Sequence, residues 1–160
     1  MTDDGLLSCI KYGIVRARPE EDDYLRRIID AVGPDLIVSG MGEQPAVVHL
    51  ARFGLRAFTS GCVCLAPGLS MALLRSLHAR NDGDAERLRG RFEPLETLRD
   101  KISPVRVLHA AVTLAGLADM GPITPPLSPV DESARPAIEA AARELMAAGR
   151  QSYLEDGFRV

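Results

Sequence analysis

The chain has 160 residues, 46% of them apolar and 26% charged, within the range of an ordinary soluble domain with a core of useful size. Its net charge of -3, with Lys and Arg interspersed among acids, argues against a surface built to gather phosphates, so nucleic acid is not an expected partner. No apolar run approaches the roughly 20 residues of a membrane-spanning helix, and the start Met-Thr-Asp-Asp-Gly lacks the basic and apolar regions of a signal peptide, so a cytoplasmic location and no membrane partner are expected.

Leu6 to Val15 is apolar, partly β-branched and almost unbroken, as in a strand buried on both faces. On an ideal strand Cys9, Lys11, Gly13 and Val15 share one face, and Ile10, Tyr12 and Ile14 the other. Pro19 opens a predicted helix whose acidic first turn, Glu20 to Asp23, suits the helix dipole and reads as solvated; Gly33-Pro34 closes it. Tyr24, Leu25, Ile28, Ile29 and Val32 give that helix one apolar face. A short strand follows at Leu36 to Ser39. The glycine-rich turn Gly40-Met-Gly-Glu-Gln and Pro45 lead into a second helix that stops at Gly54, and Arg56 to Ser60 forms a third strand. Glu43 either caps that second helix or faces a pocket, with capping favoured. Strands and helices alternating through tight loops predict βαβ units and a parallel sheet.

The remainder is nearly all helix, over about Pro67 to Arg80, Asp84 to Lys101, Val105 to Leu117 and Ser133 to Ala148. Gly121 to Pro129 is too proline-rich for regular structure and predicts a rigid loop. Residues 149–160 carry no strong pattern and read as a tail, and the rest as one domain.

Cys9, Cys62 and Cys64 lie in apolar sequence without a CxxC pair and read as buried free thiols. Cys62 and Cys64 would share a face if they lay on a strand, but no nearby His or third Cys completes a site, so no metal is expected. His49, His78 and His109 fall within predicted helices and read as surface or packing residues. Arg16 and Arg18 follow the first strand in a loop and read as solvated, with attraction of an anionic substrate as the alternative.

Three segments, taken in order and spacing, carry a resemblance. Cys9-Ile-Lys-Tyr-Gly resembles the strand bearing the imine-forming lysine of the dihydrodipicolinate synthase and N-acetylneuraminate lyase family, with Lys11 in that lysine's place. Val38-Ser-Gly-Met-Gly-Glu is similar to the family's serine-glycine turn, whose backbone borders the substrate pocket. Ala57-Phe-Thr-Ser-Gly-Cys-Val-Cys-Leu-Ala-Pro resembles the strand and turn that precede a long helix. Arg106-Val-Leu-His-Ala-Ala and Gly121-Pro-Ile-Thr-Pro-Pro-Leu extend the resemblance through the terminal helices.

The resemblance implies an α/β fold: about the last three strands of a (β/α)₈ TIM barrel over residues 6–66, then a C-terminal helical segment over 67–148. It implies a class I aldolase-type lyase or dehydratase in which Lys11 forms a covalent imine with a small 2-keto acid, such as pyruvate or a keto-deoxy sugar acid, with no metal or organic cofactor. Gly40, Thr59, Ser60 and Gly61 would border the substrate. Departures point away from the synthases' aspartate-semialdehyde and leave sugar-derived 2-keto acids open. Tyr12 and Gly13 follow Lys11 where an acid and a Ser/Thr-Gly-Asp stretch are usual, Met41 and Gly42 stand where acids are common, and Cys64 replaces an asparagine.

A free lysine has a pKa near about 10.4, and only its neutral amine attacks a ketone; burial in an apolar strand is expected to lower it. The protonated imine then stabilises a carbanion at the neighbouring carbon, the common step of aldol cleavage, addition and dehydration. A complete barrel takes about 250 residues, so the resemblance makes Leu6 to Val15 the sixth strand. The family's carboxylate-binding threonines and proton-relaying tyrosine have no counterpart here. Three outcomes stay open: a fragment of a longer protein, a chain completed by a partner supplying the N-terminal strands, or a noncatalytic homologue that self-associates as an interaction or assembly subunit. Unpaired strand edges and uncovered apolar faces favour association.

Overall fold

The computed structural model describes residues 6–155, with side chains described as far as Gln151. Three short parallel strands, β1 (Ile10–Tyr12), β2 (Ile37–Ser39) and β3 (Ala57–Phe58), form one sheet in the order β1-β2-β3. Helix α1 (Asp23–Val32) connects the first pair and α2 (Glu43–Phe53) the second; α3 (Pro67–His78), α4 (Asp82–Ile102), α5 (Pro104–Leu114) and α6 (Arg135–Glu155) follow. Among the described residues, those up to Ser60 together with Leu73–Arg89 form one compact unit, and Gly61–Ala72 with those from Gly90 onward form the other.

In the first unit the register pairs Lys11 with Val38 and Val38 with Ala57, and Tyr12 with Ser39 and Ser39 with Phe58. Paired residues of a parallel sheet project to the same side. Tyr12, Ile37 and Ser39 are buried on the side covered by Leu25 of α1 and by Ala46, Val47 and Leu50 of α2. On the opposite side Lys11 is exposed while Val38 and Ala57 are half-buried. The expectation of a first strand buried on both faces therefore fails: β1 is three residues long, because it is a strand only where β2 lies beside it, and one of its faces is uncovered.

Other boundaries shift for local reasons. Pro19–Glu21 is a separate 3-10 turn and α1 starts at Asp23, because the Asp22 side chain accepts the Leu25 amide and is the true N-cap. Only Leu25 of the predicted apolar stripe is fully buried; Ile28, Ile29 and Val32 are half-buried and Tyr24 is exposed. Helix α2 begins two residues before Pro45, which then sits in the first turn where its missing N–H leaves no bond unmade. Helix α6 continues past the expected stop at Ala148 to Glu155.

The cysteine expectation is corrected as well. Cys62 is buried but Cys9 and Cys64 are exposed, none of the three is in a disulfide, and Cys62–Cys64 is a 3-10 turn rather than a strand, so no alternation sets the two thiols side by side. In the second unit α5 and α6 pack together, with Val107, Ala111, Ile138, Ala142 and Leu145 buried. Glu96 and Arg99 form a buried ion pair at 2.9 Å, and Arg99 also reaches Asp100 at 2.8 Å. Among the described residues no helix is long and apolar enough to cross a membrane.

Candidate active site

Lys11 lies on the uncovered side of the sheet, across Gly40. A Cβ at residue 40 would fall 2.7 Å from Lys11 Cγ, 2.9 Å from Lys11 Cε and 2.7 Å from the Tyr12 carbonyl oxygen. Glycine is required there by close approach of a side chain and a neighbouring strand, not by an unusual φ. The Gly40 amide donates to the Tyr12 carbonyl at 2.8 Å, the Thr59 amide to the Ser39 carbonyl at 2.7 Å, and the Gly42 amide to the Thr59 carbonyl at 3.0 Å. The turn after β2 is thus pinned from both sides, and these amides are not free to receive a ligand.

Lys11 and Gly40 meet; Thr59 is exposed just past β3; the half-buried Ser60 hydroxyl donates to the Glu43 carboxylate at 2.5 Å. Glu43 is fully buried in the first turn of α2, but Gly42 holds the N-cap position, so Glu43 serves as the acceptor for Ser60 and not as a cap. Gly61 belongs to the second unit, where a Cβ would meet Leu108 Cδ1 at 2.3 Å, so the end of that leucine side chain would have to shift to admit one.

A polar cluster on the covered side went unforeseen. Tyr12 donates its hydroxyl to Asp22, whose carboxylate also accepts from Arg16 Nε at 3.1 Å and from the Leu25 amide at 3.0 Å. Asp22, expected to be solvated, is only 3% exposed, and Arg16, expected to be a free loop cation, is its ion-pair partner. Burial alone would push the Asp22 carboxyl up, but the donors from Tyr12, Leu25 and Arg16 outweigh it and hold the group below the ordinary aspartate value. Tyr12 is pushed up to about 12, first by burial and then by its bond to Asp22. Behind Ser39, His49 Nδ1 shares a 2.8 Å hydrogen bond with the serine hydroxyl, while its buried Nε2 has no partner among the described residues. Burial lowers its pKa against the opposing charge of Asp22. The imidazole stands edge-on to Tyr12 and Phe53, with ring centroids 5.6 and 6.1 Å away. Strand alternation puts this cluster opposite Lys11, so it holds β1 in place and does not face a ligand bound over the lysine. The sequence signal was Asp22 three residues before the buried Leu25, an N-cap spacing masked by the acidic run around it.

Among the described residues no group of three or more His, Cys, Asp or Glu side chains could hold a metal ion.

Parallel strands alternating with helices, followed by a helical run, are the architecture of part of a barrel of βα units. The solved structures that share this fold are dihydrodipicolinate synthase and sialic acid aldolase family members, matched over their C-terminal portion. Dihydrodipicolinate synthase from Agrobacterium tumefaciens is 26% identical, with a TM-score of 0.65 over 80% of this chain and 43% of that one. A putative dihydrodipicolinate synthetase from Pseudomonas aeruginosa is 19% identical, with a TM-score of 0.68 over 86% of this chain and 45% of that one. A catalytic-lysine mutant of sialic acid aldolase from Ruminococcus gnavus is 16% identical, with a TM-score of 0.64 over 80% of this chain and 42% of that one. The chain thus spans less than half the length of each. No family model and no curated protein sequence matches it.

Proposed function

We propose that this chain carries the imine-forming part of a class I aldolase-type lyase or dehydratase, with Lys11 as the nucleophile toward a small 2-keto acid such as pyruvate or a keto-deoxy sugar acid. The observation that carries the reading is Lys11 laid across Gly40 on the uncovered side of a sheet whose fold is that of the lyases. The neutral amine adds to the ketone carbon, the carbinolamine loses water, and the resulting protonated imine draws electrons from the adjacent carbon. A C–C bond can then break or form there, or a β-hydroxyl leave as water, with the imine nitrogen as electron sink and no metal or organic cofactor. In this reading the exposed Thr59 hydroxyl would bind polar substrate atoms, and the Ser60–Glu43 pair would fix the turn beside it.

Lys11 is exposed on this chain, whereas an imine-forming amine works best when desolvated. Turnover is therefore proposed to need further barrel strands over the uncovered side, from the same polypeptide or a partner. The same exposure favours one alternative, a noncatalytic subunit whose uncovered sheet is an assembly surface. Borohydride reduction in the presence of pyruvate, followed by peptide mass measurement, tests the proposal. A stable adduct on Lys11, absent in Lys11→Arg, supports the imine role; a folded chain that gives no adduct on Lys11 at saturating pyruvate overturns it and leaves the assembly reading.

A further inference from the structure

The second unit contains a cleft of about 180 Å³ between α5, the proline-rich segment after it and the start of α6. Its apolar floor is made by Ala110, Leu114, Ile123 and Val130, and three nitrogen-bearing side chains, Arg106, His109 and Arg135, stand among its walls. We propose that this cleft binds a small organic monocarboxylate, its apolar body on the floor and its carboxylate between the two guanidinium groups.

Three observations support this. Arg106, His109 and Thr113 lie at i, i+3 and i+7 on α5, the spacing that lines one helix face. Arg106 is oriented by carbonyls alone, donating through Nε to Ser128 at 2.8 Å and through a terminal nitrogen to Pro129, and no carboxylate lies within 4.0 Å of it among the described residues. Its charge is held rigidly but not neutralised, and its other N–H groups remain available for a carboxylate. Arg135 opens α6, where the helix dipole disfavours a cation, and among the described residues its one ion-pair partner is the solvent-exposed Glu132 at 3.4 Å. A locally unfavourable cation beside a concave apolar surface is where a bound anion would relieve the conflict. Pro122 and Pro129 also line the cleft, and their fixed φ limits how far that segment must be ordered on binding. An apolar floor with a few convergent polar groups favours an organic acid over inorganic phosphate, which would leave the floor unfilled.

The proposal does not depend on Lys11. Benzoate is a suitable probe and benzamide its uncharged isostere, compared at matched ionic strength by thermal shift and by the imidazole resonances of His109. Benzoate should raise the melting temperature in a saturable, concentration-dependent way and move the His109 resonances, and benzamide should do neither. Arg135→Gln should weaken benzoate about tenfold, the loss of one charge-assisted pair. Because Arg106 also holds the loop, Arg106→Gln is read by NMR on protein shown to be folded, and it too should weaken binding at least tenfold. Equal effects of benzoate and benzamide, a phosphate effect as large as that of benzoate, or unchanged benzoate binding in Arg135→Gln would each overturn the assignment.

Discussion

The burial of Tyr12, together with its bond to Asp22, should appear as an alkaline limb in the stability of the protein. Tyr12 is 3% exposed and its pKa rises from 10.0 to about 12, so the folded state favours the neutral phenol. A group whose pKa is raised on folding contributes stability below its unfolded value, and that stability is lost as pH climbs through the folded value. The window therefore runs from about pH 10 to about pH 12, and two units at about 1.36 kcal/mol each give roughly 2–3 kcal/mol. Tyr12→Phe removes the titrating group; it should lower stability at pH 8 by about 1–2 kcal/mol, since Asp22 loses a donor, but it should follow a flatter curve above pH 10. Urea denaturation followed by circular dichroism at pH 8, 10 and 11, with phenolate absorbance recorded alongside, measures both effects. Parallel curves for the two proteins between pH 10 and pH 11 would show that burial beside Asp22 does not hold the Tyr12 proton, and the account of how β1 is anchored would fall with it.

Gly40→Ala places a Cβ 2.7 Å from the Tyr12 carbonyl oxygen, which cannot move without parting β1 from β2; a loss of about 1–3 kcal/mol is expected in urea. Arg80→Gly should raise stability by up to about 1 kcal/mol in the same assay. The Asn81 amide donates to Ser76 and the Arg80 amide to Leu77, the bonds of a Schellman turn, yet Arg80 sits at φ 55 in the position glycine prefers. Helix α5 ends with the same bonds and Gly116 at φ 74 in that place, so Gly116→Ala should cost a similar amount. His49, whose pKa burial lowers, is favoured neutral in the fold, so stability should fall as pH drops below about 6.5. His49→Asn, which retains a polar partner for Ser39, should flatten the slope between pH 7 and pH 5, and an unchanged slope would refute the assignment.

The alternation of strand and helix was legible because each strand is bounded by turn residues, Gly33-Pro34 and Gly54, and each helix has its own start signal. The burial of β1 was not. An apolar run reads alike whether one face or both are covered, because periodicity records which residues are apolar and not what packs against them. Gly40 was legible as a place of close approach, although what approaches it, the Lys11 stem and the Tyr12 carbonyl, depends on strand register. Asp22 was misread because a carboxylate in an acidic run carries no local mark of being the one turned inward. Tyr12, ten residues away in the chain, provides that burial only once β1 and α1 pack together. The approach of Leu108 to Gly61 could not be read from the sequence, because the two lie far apart in the chain.

The covered side of β1 governs where the residues on its other side stand. A three-residue strand with one uncovered face has few backbone bonds to fix it, and a lysine presented from a wandering strand would sample many positions. The covered side compensates: Tyr12 is anchored through its hydroxyl to a carboxylate that also caps α1, and through its ring to His49 of α2. Fixing the backbone at residue 12 from two helices fixes the outward direction at residue 11, because alternate residues of a strand point to opposite sides. A position defined from behind does not depend on what later covers the front. If the imine role holds, Tyr12→Phe and Asp22→Asn should therefore slow trapping of pyruvate at Lys11 even at neutral pH and on folded protein, where neither residue touches the substrate. Trapping rates unchanged in both variants would mean that β1 is held by the sheet alone, and that the cluster behind it serves stability without positioning the amine.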